Sequence, residues 1–165
     1  MMLIDGFLPE GITRLAVDSI FMMPQLGVLA EVHEKAATEV FEKDCLIHLG
    51  TLVAPVGTSQ EGRPCVTVEG QLPGGAALKE EIPFGEMRVY PLGVDEQAKV
   101  KITPARGFDV GAGPGKPLEK TLSGGVVGLM VDARGRPFTL PTDEKQRVEK
   151  LEKWAAAFDA YPQSR

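Results

Sequence analysis

From about residue 46 to residue 140, the apolar residues of this chain recur at every second position over short stretches, and that period restricts its fold more than any other feature. A period of two belongs to an extended strand with one buried face. AKVKITPA is the clearest case: Val100 and Ile102 fall on one face, with Lys99, Lys101 and Thr103 on the other. In RPCVTVEG, Val66 and Val68 alternate with Thr67 and Glu69, and in GEMRVYPL, Met87 and Val89 alternate with Arg88 and Tyr90. LIHLGTLVAP reads as a long apolar strand and PLEKTL alternates again, while VVGLMVD and RPFTL read as a pair folded around DARG. Nineteen glycines and thirteen prolines supply the turns between these segments. Alternation leaves one face of each strand wet, which fits an antiparallel barrel or sandwich better than a parallel sheet.

Residues 1–45 follow a different pattern. GITRLAVD reads as a short strand, and SIFMMPQLGVLAEV is apolar nearly all round, as in a buried connector or a broken helix. HEKAATEVFEKD places Ala36, Ala37, Val40 and Phe41 on one helical stripe. At the other end Asp143 and Gln146 stand at capping-box spacing before a stripe of Val148, Leu151, Trp154, Ala155 and Phe158. The expected class is α+β, mainly β. About six to eight antiparallel strands form a barrel or sandwich over residues 46–165, with a short α/β lead-in over 1–45 and a C-terminal amphipathic helix.

Composition excludes several functions. A net charge of −5 over 165 residues, with the basic residues scattered, does not make a nucleic-acid surface. No apolar run approaches the ~20 residues of a membrane-spanning helix, and MMLIDGFLPEG lacks the basic start of a secretion signal. Two cysteines without such a signal read as reduced thiols in a cytoplasmic protein.

Two stretches raise the question of a binding site. FDVGAGPGK carries Asp109, three glycines and Lys116, yet it is neither a P-loop nor a dinucleotide fingerprint. Gly111 is one residue too close to Gly115-Lys116, Pro117 replaces the hydroxyl residue, and Pro114 removes an amide. It reads as a wide turn, or as an unconventional anion site of successive amides and Lys116. In DARGRP, Asp132 and Gly135 stand at the first and fourth positions of a type I turn, with Arg134 and Arg136 projecting from its tip. These arginines either pair with Asp132 or Asp109 as a clasp, or bind a carboxylate, phosphate or partner protein. Cys45-x-x-His48 has too few further ligands for a metal, and its odd spacing would split the pair across a strand. Asp18 stands at a strand end without a second catalytic group, so neither a catalytic set nor a cofactor is expected.

GITRLAVDSIFMMPQLGVLA, VFEKDCLIHLGTLVAPVG, RGFDVGAGPGK and LSGGVVGLMVDARGRPFTLP, taken in order, resemble the C-terminal part of the glutamate mutase MutL-like accessory family. That family is distinct from the mismatch-repair protein of the same letters. The resemblance implies a longer parent whose N-terminal part is an actin/Hsp70-like ATPase that reactivates adenosylcobalamin-dependent mutases. Residues 1–45 would then be the end of the ATPase fold, left without its partner, and 46–165 an appended β domain. Implied partners are a mutase subunit and the ATPase part. The ATPase's phosphate loops are missing from this sequence, so no nucleotide-binding residue carries over.

Overall fold

The computed structural model describes residues 8–158. Among these residues the first element is β1 (Gly11–Asp18), then α1 (Met23–Val40) and a π-helical turn over Phe41–Cys45. Seven strands follow: β2 (Leu46–Ala54), β3 (Pro64–Gln71), β4 (Ala77–Pro83), β5 (Met87–Tyr90), β6 (Gln97–Pro104), β7 (Leu118–Ser123) and β8 (Gly128–Asp132). Helix α2 (Glu144–Ala157) comes last. The class is α+β and mainly β, as the alternation predicts.

The strands form two four-stranded sheets, in the orders β1-β2-β8-β5 and β4-β3-β6-β7, and do not close into a barrel. Val53, Leu129 and Val131 from the first sheet meet Val66, Val68, Ile82, Val100, Ile102 and Leu122 from the second in one core. The opposite face of the first sheet buries Leu15, Leu52, Ala54 and Met130, against which Phe158 packs. The residues expected to point inward along β3 and β6 are those buried, because one side of a pleated strand must leave water.

Two expectations are corrected. The sheets are not purely antiparallel, since β8 runs parallel to β2 from Gly50↔Gly128 to Val53↔Val131. The hairpin around DARG does not form: β8 lies between β2 and β5, and RPFTL is not a strand. The additional strand is β4, whose sequence ALKEEIP has too few apolar residues to announce itself. Close approach of the parallel pair depends on glycine. A Cβ on Gly50 would stand 1.9 Å from the Gly128 carbonyl oxygen, and Gly50 has φ +130°, which side chains rarely adopt.

Along β1 the pairing with β2 shifts between Leu15 and Ala16, so that Leu15 faces Gly50 and Ala16 faces His48. Leu49 is therefore an extra residue, a β-bulge. It packs with Leu52 on the outer face, and His48 turns onto the face of Thr51.

The lead-in behaves as a broken helix. His33 interrupts α1 with φ −140° and ψ 65°. Leu26 and Ala30 from before the break then pack with Ala37, Phe41 and Cys45 from after it. Asp18, considered above as a catalytic acid, accepts hydrogen bonds from the Ile20 and Met23 amides at 3.2 Å each and so fastens the start of the helix. At α2, Asp143 accepts from the Gln146 amide at 2.9 Å, the expected cap.

Candidate functional site

The segment 132–136 leaves β8 in the body's interior, and its side chains fold back on themselves. Asp132, Arg134 and Arg136 are all buried. Arg134 donates from Nε to Asp132 Oδ1 and from Nη2 to Oδ2, each at 2.8 Å, a bidentate pair. Arg136 donates from Nη2 to Asp132 Oδ2 at 2.9 Å, from Nε to the Pro9 carbonyl at 3.1 Å and from Nη1 to the Gly135 carbonyl at 2.8 Å. The Arg134 guanidinium also lies 4.8 Å from the Phe138 ring centre and 4.9 Å from that of Trp154. Burial alone would raise the Asp132 carboxyl, but the Arg134 and Arg136 guanidiniums outweigh it and hold the group below the ordinary aspartate value.

This cluster joins four parts of the fold. Trp154 donates from Nε1 to the Gly85 carbonyl at 2.9 Å, and the Gly85 amide donates to the Ala133 carbonyl at 2.9 Å. Lys153 pairs with Glu86, and Lys150 with Glu61 at 2.7 Å. The end of β8, the β4–β5 turn, α2 and the entry to β1 thus meet around one carboxylate. Arg134 and Arg136 do not project from a turn tip. They are enclosed, because two guanidiniums and a carboxylate satisfy one another better than water reaches them there.

The glycine loop lies beside this cluster. Val56 exchanges two backbone hydrogen bonds with Asp109, at 2.8 and 2.9 Å, and the next residue, Gly57, exchanges two with Arg136, at 3.0 and 3.2 Å. The two stretches singled out in the sequence are therefore neighbours through one short segment. Their side chains do not converge. Asp109 Oδ1 accepts from the Gly111 amide at 2.7 Å and the Gly113 amide at 2.9 Å, and these bonds hold its carboxyl below its ordinary value. The amides that would cradle an anion already cradle the loop's own carboxylate. Gly111 and Gly113 have φ of +106° and +104°, so the loop needs glycine to turn those amides inward. Lys116 is exposed.

No group of three or more His, Cys, Asp or Glu could hold a metal ion among the described residues. Cys65 is fully buried, and desolvation aided by the nearby Asp132 charge pushes its thiol up to about 12. It is a packing residue rather than a nucleophile.

Two features escape a reading by sequence motif. One is an exposed apolar surface on the lead-in: Phe21 is 82% exposed, Val32 75% and Val28 68%, with Ile20, Met23 and Leu29 beside them in the chain. The all-round apolar pattern of SIFMMPQLGVLAEV was the signal for it. The other is a pair of adjoining clefts between the free edges of the two sheets, one containing His48 and the other Lys120, with Arg14 and Ser123 lining both. No family model, curated protein or solved structure matches this chain.

Proposed function

We propose that this chain is a docking and regulatory β domain of a MutL-like accessory protein that maintains an adenosylcobalamin-dependent mutase. The observation that supports this reading is the lead-in. Its outer face is apolar at Phe21, Met23, Val28, Leu29 and Val32, while Asp18 and the β1–β2 pairing fasten it to a well-packed body. Large exposed apolar surfaces on an ordered scaffold mark contact sites. The occupant this reading assigns is the ATPase part of the parent protein, with the β body, a two-sheet sandwich, carried outward to meet the mutase. The identity of the mutase system comes from the sequence resemblance alone.

The rival reading was a small-anion site shared by Asp109, Lys116, Arg134 and Arg136. The arrangement of these side chains favours a structural clasp, since Asp109 is bonded within its loop and both arginines are engaged with Asp132.

The test uses the full-length parent and a purified adenosylcobalamin-dependent mutase. Recovery of mutase activity after cofactor inactivation is followed with the wild-type parent and with a Val28→Glu/Val32→Glu variant. Slower recovery with the variant, without loss of folding, is the expected result. A parent that neither binds the mutase nor changes its recovery would end this reading.

A further inference from the structure

We infer that the exposed face of α1 binds a partner helix carrying an apolar stripe flanked by lysine and arginine. The inference rests on the reading of this face as a contact surface, and names the chemistry of what meets it. Before the break at His33, residues four apart line up as ridges along α1. Met22, Leu26 and Ala30 form the inward ridge and pack with Ala37, Phe41 and Cys45 of the same lead-in. Pro24, Val28 and Val32 form an outward ridge, flanked by Leu29 on one side and by Gly27 and Glu31 on the other. All of these outward residues are exposed.

Charge decides between partners. Residues 18–44 hold six carboxylates and two lysines, and so account for four of the chain's five net negative charges. In the body, Glu61, Glu69, Glu80, Glu86 and Glu119 each pair with a lysine or arginine. The exposed carboxylates of Glu31, Glu34, Glu39, Glu42 and Asp44 make no such pair among the described residues. An apolar ridge beside unpaired carboxylates attracts a basic surface, and repels both a second copy of itself and an anionic membrane.

Two further features of this face are unfavourable for the chain by itself. Gly27 stands within a helix, where alanine is preferred, yet a Cβ there would meet nothing within 4 Å. The gap it leaves beside Val28 admits a side chain from a second helix packed across the first. Phe21 has φ +56°, which a bulky side chain rarely adopts, and its ring stands in solvent. The bonds from the Ile20 and Met23 amides to Asp18 hold that turn, so Phe21 is presented as an aromatic anchor ahead of the ridge.

The test is an NMR titration of the full chain with two synthetic peptides of about 18 residues, long enough to be helical. Both carry the same leucine stripe, flanked by lysine in one and by glutamate in the other. The lysine peptide should bind saturably, shift the Gly27, Val28 and Val32 amides, and bind at least about tenfold more tightly than the glutamate peptide. Its affinity should fall as salt rises. Glu31→Lys/Glu34→Lys should reverse the preference between the peptides. Gly27→Leu should weaken binding about tenfold although leucine is the better helix former, an effect that a role in helix structure alone would not produce. Circular dichroism should show each variant folded. Equal affinities for the two peptides, or no saturable shifts up to about 1 mM of the lysine peptide, would overturn the inference. So would a dimer in sedimentation that Val28→Glu dissociates, which assigns the face to a second copy, or binding to phosphatidylserine vesicles, which assigns it to a membrane. The mutase reading fails separately. A chain that binds the lysine peptide while its parent leaves mutase recovery unchanged keeps this surface chemistry and loses the mutase. A parent that speeds recovery while the chain ignores the lysine peptide loses this inference alone.

Discussion

The two-sheet body and the lead-in solve the burial of apolar residues in opposite ways. In the body, Val66, Val68, Val100 and Ile102 turn inward, and the intervening Thr, Glu and Lys residues turn out. In the lead-in, α1 buries only Leu26 and Ala37, and leaves Met23, Val28 and Val32 in water. Stability in the body therefore comes from contacts within the chain, whereas the lead-in's apolar surface contributes little to the stability of this chain by itself. The same residue types have different consequences according to what faces them.

The difference predicts where substitutions matter. Gly50→Ala should have the largest effect, because its Cβ would meet the Gly128 carbonyl backbone at a conformation unfavourable to alanine. Loss of the cooperative urea transition is the expected outcome, and a wild-type midpoint would show that β2 and β8 are not packed this closely. Asp132→Asn comes next. It leaves two buried guanidiniums facing a neutral group, and breaking a buried pair of this kind costs about 3–5 kcal/mol, measured as a fall in the urea midpoint.

A third prediction concerns acid. The Asp132 carboxyl is lowered in the folded state, so its contribution is fully present above the unfolded aspartate value of about 3.9 and is lost progressively as pH falls from there through the folded value. Urea midpoints between pH 6 and pH 3 should fall in the wild type, and less steeply in Asp132→Asn. Equal slopes would remove Asp132 from the acid response. The smallest effect belongs to the lead-in: Val32→Glu should change stability by no more than about 0.5 kcal/mol. A large loss there would mean that α1's outer face is packed after all.

Much of the body was legible in its sequence because alternation is a local property. The inward sets of β3 and β6 follow from neighbouring residues alone, as does the Asp143–Gln146 cap. Pairing is not local. The residues after Asp132 have the form of a hairpin, yet β8 takes β2 and β5 as its neighbours, and no turn motif encodes that choice. The site divides the same way. Inward placement of Lys120 between Leu118 and Leu122 could be read by counting, but His48 lines its own cleft beside a bulge, which depends on register against β1. Burial of Arg134 and Arg136 depended on Phe138, Trp154 and Pro9 arriving from elsewhere in the chain.

The parallel pairing of β2 with β8 has a consequence for the order of events during folding. β3 to β7 all lie between these two strands in the chain, and β2 is otherwise bordered only by β1. Until β8 arrives, the apolar run Leu52-Val53-Ala54 has an open edge, and closing so long a loop is entropically slow. The second sheet pairs only β3, β4, β6 and β7 and can assemble without either strand. The first sheet is then complete only once a single five-residue strand, Gly128–Asp132, joins β2 to β5, and that segment also delivers the central carboxylate of the buried cluster.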